Sequence, residues 1–229
     1  MPRWIPKPDW AGADAYIIGG GPSLAGFDFS QLRNRHTIGI NDAFRLGVSV
    51  CKICFFSDEE WFSRSEQALL MYRGRVVSHC DHASVLNADR VDTMPRVMDR
   101  LNEDHSGLAF CGSSGPGAVN LALLLGAKRV MLLGFDCTKS RTGETHWHHH
   151  NVEPPANDIY PKFIAGWREV AKSLPERFPG REIINLNPNS AIDCFPKHDP
   201  KDFLYEPDTL NQLPRSQPDE RPWVDLGAE

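Results

Sequence analysis

The stretch Ala15–Leu24, AYIIGGGPSL, decides the fold of this chain. A short apolar run ends in three glycines, Gly19 to Gly21, and Pro22 and Ser23 follow them. An apolar strand, a glycine turn and a proline suited to the first position of a helix together predict a strand–turn–helix unit. Glycines let the backbone approach a ligand closely, and a helix N-terminus attracts anions. The stretch therefore predicts a nucleotide or phosphate site, and a tight turn without a ligand is the alternative.

Strand-like and helix-like runs alternate along most of the chain. The strand-like runs are Ala15–Ile18, Thr37–Ile40, Val48–Phe56, Arg75–His79, Leu108–Phe110, Arg129–Leu133 and Glu182–Leu186. The helix-like runs are about Leu24–Arg33, Glu59–Tyr72, Pro95–Asn102, Gly117–Leu125 and Ile159–Leu174. This alternation predicts an α/β fold, a Rossmann-like and mostly parallel sheet with helices on both faces. Ligands of such sheets bind beyond the carboxyl ends of the strands.

Length and composition limit the classes of function. The chain has 229 residues and a net charge of −5, which suits one domain and argues against a broad nucleic-acid surface. It has no run of 18 apolar residues and no secretion signal, and its six cysteines are scattered, so we expect a cytoplasmic protein with reduced thiols. We expect an N-terminal arm at 1–14, a nucleotide-binding domain at 15–196 and an extended or disordered tail at 197–229.

A second candidate anion site precedes an apolar helix. Ser113, Ser114 and Gly115 lie where that helix begins, although Ser113 could serve only as its cap. Asn41 follows the second predicted strand, and its amide could bond a ribose or phosphate or only shape a turn. Asp42 lies near the position that a ribose-binding acid has in dinucleotide-binding folds, or it caps a helix. The dinucleotide fingerprint is incomplete here, because Leu24 replaces its third glycine.

The segment from about 137 to 158, here called the lid segment, carries a histidine cluster. His146 and His150 share one face if the segment is helical, and His148 joins them if it is extended. Histidine can act as a general base or bind a divalent metal, here with Asp136, or the cluster could be only a solvated loop. Asp136, at the end of a predicted strand, is itself a candidate catalytic acid near the chemistry, a metal ligand or a loop cap. Asp58 is a weaker metal candidate, since acids often cap helices.

Taken in order, these motifs resemble those of the bacterial sialyltransferases of the Campylobacter type (GT42-like). The shared order is GGGPSL, GIND, SSG before a helix, LALLLGAKRVMLLGFD, a His-containing lid and NLNPNS, over about residues 15–195. The chain is also similar to the related MptE-like (DUF115) group, which includes flagellin nonulosonate transferases and 6-hydroxymethylpterin diphosphokinases.

The resemblance implies roles for single positions. A nucleotide donor would contact the glycine turn, Asn41, Ser114, Gly115, Pro188, Asn189 and Ser190. The lid pattern places His150 as the general base on the acceptor hydroxyl. The transferases carry two tyrosines for the leaving phosphate after the equivalent of Asp136, whereas this chain has no tyrosine between Asp136 and Tyr160. Gly20 also stands where those transferases carry Asn.

Three functions follow as hypotheses. The first is a glycosyltransferase that uses a nucleotide-activated sugar, CMP-type or other, with His150 or His146 as base and no required cofactor. The second is a diphosphokinase that moves pyrophosphate from ATP to a small hydroxymethyl compound and requires Mg²⁺. The third is a nucleotide-binding module without turnover. The partners expected of the first are a nucleotide-sugar donor and a small-molecule or glycan acceptor, and the sequence leaves a homo-oligomer open.

Overall fold

The computed structural model describes residues 4–148 and 158–204. In this part of the chain the strands are β1 (Asp14–Ile18), β2 (His36–Ile40), β3 (Ile53–Phe56), β4 (Arg75–Ser78), β5 (Asp92–Thr93), β6 (Arg96–Met98), β7 (Leu108–Phe110), β8 (Arg129–Leu133) and β9 (Glu182–Asn185). Seven of them form one parallel sheet in the order β5-β4-β3-β2-β1-β8-β9, while β6 pairs with β7 alone. The strand order reverses between β1 and β8, which is where open α/β sheets bind their ligands.

The central strands are apolar on both faces. In β1, Ala15 and Ile17 belong to one core cluster, whereas Tyr16 and Ile18 belong to another on the opposite face. A parallel strand that is covered on both faces needs this continuous apolar run, because alternate side chains point to opposite sides. The predicted parallel α/β sheet is therefore confirmed.

Helices cover both faces of the sheet. They are α1 (Glu59–Met71), α2 (Ala83–Leu86), α3 (Ser114–Leu124), α4 (Tyr160–Arg177) and α5 (Lys201–Leu204). Residues of α3 and α4, such as Val119 and Trp167, pack on the face that Ala15 shares. On the other face, Trp61 and Phe62 of α1 pack against Phe56. The predicted two-sided arrangement is confirmed.

The predicted helix Leu24–Arg33 is wrong. The chain forms only two short 3₁₀ turns there, Pro22–Leu24 and Phe29–Leu32. Between them Gly26 adopts a φ of 77°, and the Asp28 carboxylate accepts a hydrogen bond from the Ser30 N–H at 2.9 Å. These local turns break the path of a longer helix, so the glycine turn is followed by no helix dipole of useful size.

Two other predicted elements differ from the structure. Residues 95–102 are not a helix, because Val97 pairs with Ala109 in the β6–β7 ladder and Asp99 then takes a φ of 59°. The strand predicted at 48–56 begins only at Ile53, because the Gly47 carbonyl accepts hydrogen bonds from the next turn of chain, including the Cys51 N–H at 2.8 Å. In both places, turn geometry overrides the apolar pattern.

The segment before β1 packs on the domain. Trp10 is 8% exposed, its backbone N–H donates to the Leu125 carbonyl at 2.7 Å, and its ring stacks on His36. At the other end the structure describes the predicted tail only as far as Leu204, at the end of α5. Within residues 4–148 and 158–204, no helix combines the length and apolarity needed to cross a membrane. The cytoplasmic location stays a prediction.

His79 is a buried histidine that lies between Phe55 and Phe110. Burial, and then the nearby charge of Arg96, lower the pKa of His79 to about 3. The unfolded chain takes up this proton near pH 6.5, whereas the folded chain resists it, so stability falls as pH falls below about 6.5. From pH 7 to pH 5 this side chain is expected to cost about 2 kcal/mol.

Urea unfolding of the wild type and of His79→Leu at both pH values measures this contribution. The variant should lose about 2 kcal/mol less than the wild type between pH 7 and pH 5. Because the comparison uses the pH dependence, any constant cost of repacking leucine into the core cancels. Equal losses in the two proteins would show that His79 is protonated in the fold.

Candidate functional site

A cavity of about 990 Å³ lies beyond the carboxyl edge of the sheet, at the reversal between β1 and β8. Its size is that of a ligand-binding pocket. Most residues that the sequence singled out line this one cavity: Gly19, Gly20, Gly21, Asn41, Asp42, Asp58, Ser113, Ser114, Gly115, Asp136, His146 and His148. The topology thus brings together groups that are far apart in the sequence.

The glycine turn packs tightly against the end of β8. The Gly19 N–H donates to the Leu133 carbonyl and the Gly21 N–H to the Gly134 carbonyl, both at 2.8 Å. A Cβ on Gly21 would lie 1.8 Å from the Asp136 carboxylate and 2.6 Å from the Gly134 carbonyl oxygen. Glycine is required here because the chain itself, in addition to any ligand, approaches the turn this closely.

Asp136 fastens the glycine turn to the sheet. Its carboxylate accepts hydrogen bonds from the Ser23 N–H at 3.1 Å, the Ser23 hydroxyl at 2.9 Å and the Asn187 amide at 3.0 Å. Burial raises the pKa of Asp136, and the hydrogen bonds from Ser23 and Asn187 oppose that shift. The sequence analysis assigned Ser23 to a phosphate, but the Ser23 N–H and hydroxyl bond this carboxylate of the chain instead.

The first turn of α3 supplies the helix N-terminus of the site. Ser113 precedes this 11-residue helix in an extended conformation, and its side chain makes no capping hydrogen bond. Ser113, Ser114 and Gly115 line the cavity. A Cβ on Gly115 would lie 2.5 Å from the Trp167 ring and 2.8 Å from Phe135, so glycine allows this helix to begin against the end of β8. An α-helix N-terminus at a cavity wall favours an anion.

Asn41 and Asp42 follow β2 and differ in their partners. Asn41 adopts a φ of 52°, and its buried Oδ1 has no hydrogen-bond partner among the described residues. Asp42 instead accepts a hydrogen bond from Arg45 at 2.7 Å and one from the Trp61 indole at 2.9 Å. The Asn41 Oδ1 is thus available to a ligand, whereas the Asp42 carboxylate holds Arg45 and Trp61 in place in the cavity wall.

His146 lies against the glycine turn. A Cβ on Gly20 would be 2.7 Å from the His146 ring, and His146 Nδ1 is 2.8 Å from the Thr145 hydroxyl oxygen. Burial lowers the pKa of His146, and the charge of Asp42 opposes that shift. The imidazole is therefore neutral at pH 7 and has a nitrogen that can accept a proton.

Trp147 holds this part of the lid segment in place. Its indole N–H donates to the Gly19 carbonyl at 2.9 Å, its backbone N–H donates to the Gly20 carbonyl at 3.0 Å, and its ring contacts Phe29. The His148 ring centroid lies 5.4 Å from that of His146. His150 lies outside the described residues, so its role and the lid itself stay predictions.

Several predicted residues lie outside the lining of the cavity. Pro188 and Asn189 are exposed, and the buried Ser190 hydroxyl donates to the Phe135 carbonyl at 2.6 Å. Their neighbour Asn187 is the residue that bonds Asp136. The turn after β9 therefore supports the end of β8, and Pro22 and Ser23 likewise are not among the lining residues.

The candidate metal ligands have other partners in the fold. The Asp58 carboxylate accepts a hydrogen bond from the Trp61 N–H at 2.8 Å, which caps α1. Asp136 is engaged by Ser23 and Asn187. Within the described residues, no group of three or more His, Cys, Asp or Glu side chains is placed to hold a metal ion.

Among the wall residues that sequence reasoning did not single out, two carry polar groups of interest, Tyr160 and Arg96. Tyr160 begins α4 and lies close enough to Cys137 and Asp136 that their charges, after burial, help to raise its pKa. Arg96 reaches the wall from β6, the strand that was predicted as a helix. Tyr160 directly follows the lid segment, which could have pointed to it, whereas Arg96 is distant in sequence from every motif and only the fold reveals it.

Comparison with known proteins adds evidence about the fold. No family model and no curated protein matches the sequence. Among solved structures, the MAf glycosyltransferase from Magnetospirillum magneticum AMB-1 is 13% identical with a TM-score of 0.59, over 87% of this chain and 36% of that one. The sialyltransferase CstII from Campylobacter jejuni, in complex with the substrate analogue CMP-3FNeuAc, is 16% identical with a TM-score of 0.46, over 82% of this chain and 86% of that one.

These likenesses bear on the architecture alone. The chain spans about a third of the length of the MAf protein, which also contains regions that have no counterpart here. The likeness to the MAf glycosyltransferase confirms the predicted α/β fold. The described residues form a Rossmann-like α/β domain of the kind that occurs in this glycosyltransferase.

Proposed function

We propose that this protein is a glycosyltransferase that transfers a sugar from a nucleotide-activated donor to a hydroxyl group. The observation that carries the proposal is the cavity at the β1–β8 reversal. Its wall combines the glycine turn, the N-terminus of α3, the unpartnered Asn41 amide and the neutral His146. An anion site beside a general base is what displacement of a nucleotide by a hydroxyl requires.

The donor phosphate is proposed to lie between the glycine turn and the first turn of α3. There the N-terminus of α3 stabilises the charge that develops on the phosphate as it leaves. The Asn41 amide bonds the nucleotide, since its Oδ1 has no partner among the described residues. The Tyr160 hydroxyl, on the same wall near Asp136, is proposed to donate a further hydrogen bond to the phosphate.

His146 is proposed as the base, in the role that the lid pattern gave to His150. The acceptor oxygen forms a bond to the anomeric carbon while the bond from that carbon to the phosphate oxygen breaks. The electron pair of the broken bond stays on the phosphate, and the acceptor proton passes to the His146 imidazole. A half-buried imidazole that is neutral at pH 7 can take this proton directly.

A thermal-shift screen with CMP, UDP, GDP and ATP tests nucleotide binding. A nucleotide at 100 times its Kd adds about 2.7 kcal/mol of stability and raises the Tm by a few degrees. Asn41→Ala should reduce this shift, whereas Asn189→Ala, at an exposed position outside the cavity lining, should keep it. Absence of any nucleotide-dependent shift in the wild type would overturn the proposed function.

Metal dependence and turnover distinguish the glycosyltransferase from the diphosphokinase and from the non-catalytic module. We propose that the transfer needs no metal ion, so activity should survive a chelator, whereas a diphosphokinase needs Mg²⁺ to bridge the phosphates. Loss of all turnover in the chelator, restored by Mg²⁺, would favour the diphosphokinase. Nucleotide binding without turnover toward any acceptor would favour the non-catalytic module.

A further inference from the structure

Three of the described arginines line the cavity, and two of them hydrogen-bond a neighbouring acid, although the Arg64–Glu60 pair is itself exposed. Arg45 bonds the Asp42 carboxylate at 2.7 Å, and Arg64 bonds Glu60 at 2.8 Å. Arg96 differs from both. Its nearest acid is Asp81, 3.6 Å away and with a side chain that is 83% exposed, which makes a weak, solvent-screened pair.

The Arg96 guanidinium is nevertheless held in a fixed place. Nη2 donates to the Ser57 carbonyl at 2.9 Å, and the guanidinium carbon lies 4.7 Å from the centre of the Phe110 ring. Each of these two hydrogen-bonded residues also has a buried polar atom with no hydrogen-bond partner within the described part of the chain, namely Arg96 Nε and Ser57 Oγ. A fixed guanidinium with a free N–H and a neighbouring hydroxyl suits a carboxylate.

This pair of residues lies away from the proposed phosphate position. Ser57 follows β3, which is two strands from β1 in the sheet, and strands are spaced so that the ends of β1 and β3 are about 10 Å apart. In the single displacement proposed above, the attacking hydroxyl approaches the anomeric carbon from the side opposite the leaving phosphate, with inversion at that carbon. With the phosphate at the β1–β8 reversal, the acceptor is proposed to enter from the side of β3, beyond Asn41 at the end of β2.

We propose that Arg96 and Ser57 form a carboxylate-binding subsite for the acceptor. The inference rests on the proposed function, because that function fixes the side from which the acceptor enters. The subsite selects acceptors that carry a carboxylate over neutral acceptors of the same shape. The carboxylate accepts one hydrogen bond from the Arg96 Nε–H and another from the Ser57 hydroxyl. Neither of these atoms has a hydrogen-bond partner among the described residues.

The test uses methyl β-D-glucuronide and methyl β-D-glucoside, which differ only at C6, a carboxylate in the first and a hydroxymethyl group in the second. Each is titrated into the protein saturated with the nucleotide that stabilises it most, and binding is followed by chemical-shift changes in the backbone ¹⁵N NMR spectrum, to which the wild type adds the Arg96 Nε–H signal. The wild type should bind the glucuronide about tenfold more tightly, as for a hydrogen bond to a charged group. Arg96→Gln should remove this preference, Arg96→Lys should keep part of it, and Arg64→Gln should leave it intact.

Equal affinity of the wild type for the two glycosides, or a preference that persists in Arg96→Gln, would overturn the subsite. A parallel titration with UDP-glucuronic acid and UDP-glucose examines the donor as the source of the carboxylate. If Arg96→Gln selectively weakens UDP-glucuronic acid, the assignment to the acceptor is wrong. Failure of the proposed function appears separately, as the absence of nucleotide stabilisation before any glycoside is added.

Discussion

His146→Ala is expected to lower kcat by about 10²- to 10⁴-fold, the contribution of a general base, with little change in the affinity for nucleotide. The imidazole lies against Gly20 and is neutral at pH 7, so its removal takes away the proton acceptor but leaves the walls around the phosphate intact. Steady-state kinetics and nucleotide titrations on the same samples measure both quantities. A parallel loss of turnover and nucleotide affinity would instead assign His146 to binding.

Matched histidine variants make this result specific. His82 is exposed outside the cavity, where it pairs with Glu59 at 3.6 Å, so His82→Ala should keep full activity. His150→Ala examines the alternative that the lid pattern favoured. If His150→Ala abolishes turnover while His146→Ala does not, the base is His150 and the proposed role of His146 is wrong.

The pH dependence of kcat/KM tests the role of His146 independently. Because burial lowers the pKa of His146 below its usual value near 6.5, the base stays unprotonated through neutral pH. We expect kcat/KM to be level at neutral pH and to fall on the acid side, by tenfold per pH unit below that pKa. This acid limb should be absent from the residual activity of His146→Ala.

The sequence predicts the sheet well because buried parallel strands carry a strong signal. The run Tyr16–Ile18 and the run Met131–Leu133 are apolar without interruption, and the structure pairs them in parallel. The helix predicted at Leu24–Arg33 failed because its apolar residues contact the core from short turns. Periodicity reports which residues are buried, but at this length it does not tell a helix from consecutive turns.

The site was predictable only where its residues follow strands in the sequence. Gly21, Asn41 and Asp136 each follow a sheet strand, and parallel topology alone brings them to one edge. The partners within the site were not predictable. The bond from Ser23 to Asp136 spans 113 residues, and Arg96 reaches the cavity from a separate two-stranded ladder. Such pairs depend on packing that no local pattern records.

Asp136→Ala is expected to destabilise the protein by about 3–5 kcal/mol, because three hydrogen-bond donors lose their acceptor at once. The Ser23 N–H, the Ser23 hydroxyl and the Asn187 amide all point at this carboxylate, which is 6% exposed. Urea unfolding measures the loss. Asp193→Ala is the control: Asp193 forms an exposed ion pair with Arg168, so its loss should cost less than about 1 kcal/mol.

The same variant distinguishes a fastening role from a catalytic one. If Asp136 only anchors the glycine turn, Asp136→Asn should recover part of the stability, since an amide oxygen still accepts from Ser23. Nucleotide affinity should then follow stability across the three proteins, because the donor position depends on where Gly21 is held. A variant that folds with wild-type stability and binds nucleotide normally, yet has no turnover, would make Asp136 a participant in the chemistry.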